Sequence, residues 1–323
     1  MQELSKVPNF DMEALKTFFL VVKCRSFSEA AEMLHKTPAT VSYRIKSLED
    51  QVGLPLLKRS TRNVELLPAG EHLMEFATEI YGLLQTIPKH LQQISAGAEM
   101  QFSIVVNNLL YDPAATISLL EVLKERFPYT QFEFKLAVYM GVWDEIISKT
   151  AHFAIGVPTW HPFSNDTATS PLGLLHWTFV LPPKHPLSKK NGPLTTPELL
   201  EYPAINIVDT AVAVDKRISW RIPGQRELIV PDMETKLLAH LNGLGVGFLP
   251  EPIARPYIQT GKLVTHRIEY PRQPSPMAIA WQIEKRGAVS EFLEELFKSK
   301  HPAVKGFFST LDTTPLAAAA AMW

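Results

Sequence analysis

Basic residues are concentrated in one short stretch near the start of this 323-residue chain. Positions 36 to 62 hold six basic residues and two acidic ones, a net charge of +4, whereas the whole chain carries −1. Clustered lysine and arginine side chains are the groups with which proteins contact nucleic-acid phosphates. Any contact with a nucleic acid must therefore come from this stretch. The six basic positions are Lys36, Arg44, Lys46, Lys58, Arg59 and Arg62.

Two short helices are predicted in and just before this stretch. Ser26, followed by Glu29, predicts a capped first helix, with Ser28 as the alternative cap. Thr37 then caps a second helix that has Pro38 at its first position, where proline is tolerated best. Two short helices joined by a turn are typical of a helix-turn-helix motif.

The second helix has two different faces. Its apolar residues, at spacings of three and four, are Val41, Ile45, Leu48 and Val52, and they should pack inward. The opposite face is small, polar and basic at one edge, and such a face can enter the major groove of DNA. The predicted DNA-contacting residues of this helix are Ala39, Thr40, Ser42, Tyr43, Arg44 and Lys46.

Residues 53–66 read as two short extended pieces around a basic, polar turn, which is the pattern of a wing. Lys58, Arg59 and Arg62 would there face phosphates or a minor groove. Basic residues alone would favour a solvated surface on a small helical domain. The two-helix pattern followed by a basic hairpin favours DNA binding instead.

A long helix is predicted over residues 68–97, with apolar residues three or four positions apart and four of them seven apart. This apolar face packs either on its own domain or on a second copy, and a two-fold DNA site favours self-association. Pro88 lies inside the pattern and predicts a kink or a division of the helix. The apolar positions are Leu73, Phe76, Ile80, Leu83, Ile87, Leu91 and Ile94.

Beyond residue 101, short apolar strands alternate with helices, a pattern typical of an α/β domain. In open α/β sheets, ligands bind beyond the carboxyl ends of strands and near helix N-termini. Trp143 also fits a core role, and Asp209 also fits a helix cap. The positions that this rule selects for ligand binding are Asn107, Asn108, Tyr111, Tyr139, Gly141, Trp143, Asn206, Asp209, Thr210, Glu234 and Thr235.

Enzymatic motifs are missing from the sequence. It has no HExxH, no GxSxG, no Walker loop and no Cys-x-x-Cys pair, and its ten histidines show no ligand-like spacing. We therefore predict a protein that is not an enzyme, with no catalytic residues, no metal site and no cofactor.

The sequence also predicts a cytoplasmic protein with no membrane partner. Residues 1–11 are polar and lack a signal-like apolar segment, and the early apolar run at residues 18–22 is far shorter than the ~20 residues that span a bilayer. The single cysteine, Cys24, fits a reducing compartment. A secreted solute-binding protein would explain the α/β region but not the basic N-terminal stretch, and it stays the distant alternative.

Residues 18–67 resemble the DNA-binding domain of LysR-type transcriptional regulators, and the α/β region is similar to the sensor domain of that family. The resemblance therefore extends over nearly the whole chain. The residues that carry it are residues 18–22 and 26–31, Leu34, Val41, Ser42, Ile45, Leu48, Glu49, Gly53, residues 56–59, Ala69 and Gly70.

This resemblance implies an α/β protein with a winged helix-turn-helix at residues 10–67, a linker and dimerisation helix at 68–97, and a sensor domain at 101–308. The sensor resembles type 2 periplasmic binding proteins, whose two lobes are joined by two crossover strands with the effector between them. Lobe I would comprise residues 101–168 and 270–308, and lobe II residues 169–269. The crossovers would lie near 168–171 and 268–271, and a tail would occupy 309–323.

The resemblance also implies function and partners. It implies a transcriptional activator that binds double-stranded DNA and a small-molecule effector as a homodimer or homotetramer, with RNA polymerase as a candidate partner. Residues 107–111, 139–144, 220–225 and 230–236 resemble the branch that regulates allantoin and purine utilisation. The implied effector is uncharged and rich in N–H and carbonyl groups.

A small carboxylate or another anion is the alternative effector. None of the predicted lining positions is basic, so such an anion would not be paired with arginine there. It would instead be held by the helix N-termini near Val142 and Met233.

Overall fold

The computed structural model describes residues 11–58, 64–159, 166–216 and 220–314. The chain divides into two compact units, residues 1–92 and 93–323. Arg59 and Arg62, two of the predicted DNA contacts, lie outside the described residues.

The N-terminal unit is built from short helices and one small hairpin. Its core contains Phe18, Val41, Ile45, Leu48 and Leu56, so the inward face predicted for the second helix of the motif is confirmed. The elements of this unit are α1 (Met12–Cys24), α2 (Phe27–Met33), α3 (Pro38–Val52), β1 (Leu57–Lys58), β2 (Glu65–Leu66) and the first part of α4 (Pro68–Ser95).

Local sequence signals fix where these helices begin. The Ser26 hydroxyl accepts from the Glu29 N–H at 3.3 Å, and the Thr37 hydroxyl accepts from the Thr40 N–H at 3.2 Å. Both predicted caps are therefore confirmed. Gly53 ends α3 with a positive φ of 75°, a conformation that glycine adopts without strain.

α4 is a continuous helix of 28 residues that passes through Pro88. The predicted division of the helix at Pro88 is therefore wrong. One side of its N-terminal half packs within the unit, where Tyr81 lies 5.1 Å from the Phe19 ring and donates to the Met12 carbonyl at 3.2 Å.

The second unit contains ten strands, six α-helices and two short 3-10 helices (Pro186–Lys189 and Pro302–Phe308) within its described residues. Its strands are β3 (Gln101–Asn107), β4 (Gln131–Ala137), β5 (Phe153–Pro158), β6 (Thr167–Leu175), β7 (Trp177–Leu181), β8 (Ala204–Ile207), β9 (Glu227–Val230), β10 (Gly247–Pro250), β11 (Val264–Thr265) and β12 (Ser275–Gln282). Its helices are α5 (Pro113–Arg126), α6 (Gly141–Ile147), α7 (Thr196–Leu200), α8 (Met233–Leu241), α9 (Glu251–Gln259) and α10 (Ala288–Lys298).

These strands form two lobes. Lobe I has a five-stranded sheet in the order β4-β3-β5-β12-β6, in which β3 runs parallel to β4 and β5 while β12 runs antiparallel to both of its neighbours. Lobe II has a three-stranded sheet, β10-β7-β11, and a parallel pair, β8-β9. A bridge between Ala204 and Val246 connects the two parts of lobe II. The predicted α/β architecture, with strands alternating with helices, is confirmed.

Two predicted boundaries differ from the structure. Residues 169–175 belong to β6, which pairs with β12 in lobe I, so lobe I extends further than residue 168. The predicted tail is also too long at its start, because Asp312 exchanges two backbone hydrogen bonds with Leu174, at 2.8 and 2.9 Å. Residues 315–323 lie outside the described part of the chain.

Candidate functional site

The outward face of α3 presents the predicted DNA-contacting side chains to solvent. Tyr43 is 74% exposed, and Ala39, Ser42 and Lys46 are exposed beside it. Polar groups held on a rigid helix face can reach the edges of bases in a major groove. The geometry of this face therefore suits direct contact with DNA.

Thr40 and Arg44 are less available than the other α3 residues. The Thr40 hydroxyl lies 2.9 Å from that of Thr37, and the Arg44 guanidinium pairs with the Glu13 carboxylate at 2.8 Å. Arg44 would have to leave Glu13 to bind a phosphate. The exchange is cheap, because a partly exposed ion pair contributes at most about 1 kcal/mol.

The hairpin that follows α3 has the wing geometry expected from the sequence. β1 and β2 are antiparallel, with Leu57 opposite Leu66 and Lys58 opposite Glu65. The Lys58 ammonium donates to the Glu65 carboxylate at 2.7 Å, and this hydrogen bond raises the pKa of Lys58. Lys58 is therefore a cation on the wing that could exchange its bond with Glu65 for one with a phosphate.

In the second unit, three predicted effector residues, Gly141 of lobe I with Asp209 and Thr210 of lobe II, contact one another. The Asp209 carboxylate of lobe II accepts from the backbone N–H groups of Met140 and Gly141 in lobe I, at 3.1 Å each. It also accepts from the Ala211 N–H at 2.9 Å. We call this contact the interlobe latch; its members are Asp209 and Thr210 of lobe II with Val138, Met140 and Gly141 of lobe I. Tyr139, also predicted to meet the effector, is buried.

Close approach at the latch depends on Gly141. The Thr210 hydroxyl accepts from the Val138 N–H at 2.9 Å, and a Cβ on Gly141 would collide with that hydroxyl. Asp144 adds a second contact between the lobes, accepting from the N–H groups of residues 212–214 at 2.9–3.0 Å. The latch therefore fastens the two lobes together at this point.

The helix N-termini proposed for a small anion are occupied by side chains of the protein. Asp209 lies at the N-terminus of α6, and Asp232 caps α8 by accepting from the Thr235 N–H at 2.7 Å. That hydrogen bond is the main cause of the lowered pKa of Asp232. A carboxylate is the group that a helix N-terminus favours, so neither terminus needs an external anion. The predicted mode of anion binding, by helix N-termini alone, is wrong.

Three further predicted effector residues have internal partners. The Trp143 indole donates to the Pro158 carbonyl at 2.8 Å, which gives it the core role considered from the sequence. Asn107 donates to the Gly156 carbonyl at 2.9 Å and accepts from the Leu109 N–H at 3.1 Å. Their side chains hold the fold.

Asn206 has a similar structural role inside lobe II. It donates to the Trp220 carbonyl at 3.1 Å and to the Glu227 carboxylate at 2.9 Å. A side-chain amide has two N–H donors, and these two bonds occupy them.

Four predicted positions keep the capacity to meet a ligand. The side-chain amide oxygen of Asn108 (Oδ1) is buried and has no hydrogen-bond partner among the described residues. It leaves an acceptor available just after β3. Tyr111, after the same strand, is exposed. Glu234 and Thr235 lie in the first turn of α8, Glu234 exposed and Thr235 half-buried.

Three basic residues that the sequence patterns did not single out are the buried Lys236 and His240 and the half-buried Arg272, which we call the buried basic cluster. Lys236 is 1% exposed and His240 is 0% exposed, although both are polar members of α8. The signal was their spacing, since Met233, Lys236 and His240 follow the three- and four-residue steps of one helix face. That face carries Met233 into the core, so it carries the basic residues inward too.

Burial sets the protonation of the cluster. It lowers the pKa of Lys236 to about 7, with the positive charge of Arg272 as the second cause. Burial, together with Lys236, lowers the pKa of His240 to about 3. At neutral pH His240 is therefore uncharged, and Lys236 is close to its midpoint.

This shift predicts a pH dependence of stability. The unfolded chain keeps the Lys236 proton up to about pH 10.5, whereas the folded protein releases it near pH 7. The unfolded state binds more protons in that range, so the free energy of unfolding rises as pH rises from 7 to 10. We expect Lys236→Met to remove this rise, measured as melting temperature against pH. Equal slopes in variant and wild type would contradict the prediction.

Comparison with known proteins places both units in one family. Residues 12–71 match the model of the bacterial regulatory helix-turn-helix protein, lysR family, and residues 109–299 match the LysR substrate binding domain. No helix within the described ranges is long and apolar enough to cross a membrane.

Individual relatives agree with this assignment. The chain is 46% identical to the HTH-type transcriptional activator AllS of Salmonella typhimurium, covering 94% of this chain and 99% of the relative. It is 51% identical to AllS of Klebsiella pneumoniae, covering 79% and 94%. A solved mutant of Corynebacterium glutamicum OxyR shares the fold at 19% identity and a TM-score of 0.54, covering 94% and 96%. The chain belongs to the LysR family of bacterial transcriptional regulators.

Proposed function

We propose that this protein is a transcriptional activator in the cytoplasm that binds double-stranded DNA as a homodimer or homotetramer. We further propose that it responds to a small product of purine or allantoin breakdown. The observation that carries the proposal is the similarity, over 94% and 79% of this chain, to two proteins named as transcriptional activators. Activation would engage RNA polymerase as a further partner.

A genomic experiment tests this proposal. Duplex fragments that the purified protein retains from its source genome should lie beside genes for purine or ureide degradation. A reporter placed behind such a fragment should rise in the presence of allantoin, and deletion of the regulator should abolish that rise. Retained fragments that lie beside unrelated genes, or a reporter that rises without the regulator, would refute the proposed pathway.

Specific DNA contact is assigned to the exposed face of α3, with Ala39, Ser42, Tyr43 and Lys46 as its accessible members and with Thr40 and Arg44 at its edge. Lys58 extends the surface onto the wing. Arg59 and Arg62 stay predicted contacts with phosphates. The support for the α3 contacts is the exposure of Ala39, Ser42, Tyr43 and Lys46. They lie on a helix whose other face is buried at Val41, Ile45 and Leu48.

Tyr43→Ala should change the sequence preference of the protein. Removing one base contact costs about 1–3 kcal/mol of discrimination, while phosphate contacts that do not read sequence are unchanged. Fluorescence anisotropy on operator and random duplexes measures both. Tyr270→Ala, an exposed tyrosine of the second unit, is the matched control. Equal losses on both duplexes would argue against base contact by Tyr43.

Lys46→Ala should weaken binding to every duplex and reduce the slope of log K against log salt by about 0.9, the contribution of one phosphate contact on B-DNA. Lys124→Ala, an exposed lysine of α5, should leave the slope unchanged. The measurement is a salt titration of duplex affinity. A wild-type slope for Lys46→Ala would remove this residue from the interface.

Self-association is assigned to the apolar stripe of α4. Leu83, Ile87, Leu91 and Ile94 are all large apolar residues that are exposed on this helix. Exposed apolar residues in heptad spacing form the seam through which helices pair. Contiguous apolar surface of this kind marks an interaction site rather than a solvated face.

Effector binding is assigned to the second unit, where the side-chain oxygen of Asn108 would accept a hydrogen bond from an N–H group of the ligand. A ureide or purine offers such N–H donors, and the buried oxygen has no partner among the described residues. Asn108→Ala should weaken allantoin or allantoate binding by about 1–3 kcal/mol in calorimetry. Tyr270→Ala serves again as the control. An unchanged Kd would exclude this contact.

A further inference from the structure

A cavity of about 610 Å³ lies on lobe II, apart from the residues assigned above to DNA, to the effector and to self-association. Among the described residues it is lined by residues 182–186, which follow β7, by residues 241–243 at the end of α8, and by Lys262, which follows α9. Small-molecule sites in proteins have volumes of about 300–1,000 Å³. The cavity therefore has room for a compact organic molecule.

The walls of this cavity are largely apolar and stiff. Pro182, Pro183 and Pro186 lie in the segment after β7, and proline has a fixed φ, while Leu241 lines the cavity from α8. The end of α8 comes close to that segment, because a Cβ on Gly243 would lie 3.4 Å from the Pro182 ring. A preformed apolar cavity binds the apolar part of a ligand with little loss of conformational entropy.

The positive charge of the cavity comes from Lys184 and Lys262. Both side chains are exposed, and neither forms a salt bridge within the described residues. The three chain segments that form the cavity contain no aspartate or glutamate over residues 167–197, 235–250 and 252–268. These segments therefore offer no carboxylate that would neutralise the two lysines, and the cavity attracts anions.

Two acidic residues that border these segments are engaged by other cations. Glu198 pairs with Lys190, and Glu251 pairs with Arg255 at 3.0 Å. Lys189 is exposed in the same basic stretch as Lys184 but is not part of the lining. It is therefore a matched control for the two lysines that line the cavity.

His185 adds an unused hydrogen-bond donor to the wall of the cavity. It is 5% exposed, and its Nδ1 accepts from the Leu187 N–H at 3.2 Å, so the proton of the neutral ring is on Nε2. Burial lowers the pKa of His185, which favours this neutral form. Nε2 has no hydrogen-bond partner among the described residues. A ligand oxygen that accepts from it would satisfy a buried polar group.

We infer that this cavity is a second ligand site, which binds a small organic anion with one carboxylate and an apolar ring or chain. The carboxylate pairs with Lys184 and Lys262 and accepts from the His185 Nε2–H. The prolines and Leu241 contact the apolar body of the ligand. The site goes beyond the proposed function, because its described lining belongs to lobe II, whereas Asn108, the proposed effector contact, belongs to lobe I.

Three probes separate the contributions of charge and apolar surface in the full-length protein. Naphthoate has a carboxylate and an apolar ring system, naphthalenemethanol has the ring system without the charge, and acetate has the charge without the ring system. We expect naphthoate to bind at least about 10-fold more tightly than either of the others in calorimetry at neutral pH. Two exposed ion pairs, each worth up to about fivefold in affinity, give this preference over the alcohol.

Lys184→Ala and Lys262→Ala should each weaken naphthoate binding by about fivefold and leave binding of the alcohol unchanged. Lys189→Ala should bind both probes as the wild type does. His185→Asn keeps an oxygen for the Leu187 N–H but removes the Nε2 donor, so it should weaken naphthoate binding by about 10-fold. The lysine variants should melt at the wild-type temperature, since both side chains are exposed.

The inference fails if naphthoate does not bind the wild type, if the alcohol or acetate binds as tightly, or if Lys184→Ala and Lys262→Ala lose no more affinity than Lys189→Ala. Competition between naphthoate and allantoin, with weaker naphthoate binding in Asn108→Ala, would place the anion in the effector site and would also contradict the inference. If allantoin does not bind while naphthoate behaves as expected, the proposed effector is wrong and the second site stands.

Discussion

Replacing Leu83 by glutamate is expected to turn the protein into a monomer and to reduce operator affinity by about 100-fold or more. Leu83 is 68% exposed on α4 and belongs to its apolar stripe. The introduced glutamate would be solvated in a monomer but buried where two α4 helices pair, so it destabilises the dimer. A monomer loses the second half-site, and linked binding of two sites contributes about 10²–10⁴ in affinity. Light scattering and anisotropy measure the two effects.

Gln85→Glu is the control for this experiment. Gln85 is exposed on the same helix but lies outside the apolar stripe. A glutamate at this position adds the same negative charge without placing it in the proposed dimer interface. A Leu83→Glu protein that stays dimeric with wild-type operator affinity would show that the stripe of α4 is not the dimer interface.

Replacing Asp209 by alanine is expected to lower the free energy of unfolding by about 3 kcal/mol or more. The carboxylate accepts from three backbone N–H groups of the latch, at 2.9–3.1 Å, and it is buried. Each buried donor that loses its acceptor costs about 1–3 kcal/mol. Urea denaturation of the full-length protein, followed by tryptophan fluorescence, measures the loss.

Two further variants are controls for the loss of unfolding free energy in Asp209→Ala. Asp209→Asn keeps the shape and one carbonyl oxygen, so its loss should lie between those of wild type and alanine. Asp215→Ala removes an exposed aspartate of the same lobe and should change little. If Asp209→Ala is as stable as Asp215→Ala, the latch does not hold the lobes.

The helices of the N-terminal unit were predictable because their signals are local. Ser26 and Thr37 cap their helices within three residues along the chain, and the spacing of Val41, Ile45 and Leu48 identifies the packed face of α3. Neighbouring residues determine such features, so the printed sequence contains them. The same spacing identifies the outward face of α3 as the side opposite these packed residues.

Local signals did not indicate β6, although the family resemblance implied a crossover strand near residues 168–171. Its sequence contains Pro171 and Gly173, which suggest a turn, and its partner β12 lies about a hundred positions away. A register shift in β12 between Met277 and Ala278 accommodates the strand. Gly173 leaves room for the backbone of Asp312, which a side chain there would meet. Only these distant contacts make the segment a strand.

For the effector region, the order of amino acids specifies which polar residues follow the strands of the α/β sheets. The contacts of those residues in the folded chain set their roles. Asp209 meets Gly141 across 68 positions and uses its carboxylate on a helix N-terminus rather than on a ligand. Lysine is expected at the protein surface, but the packing of α8 buries the Lys236 side chain. Charge and hydrogen-bonding capacity belong to the residue type, whereas partner and solvation depend on groups that only the folded chain brings near.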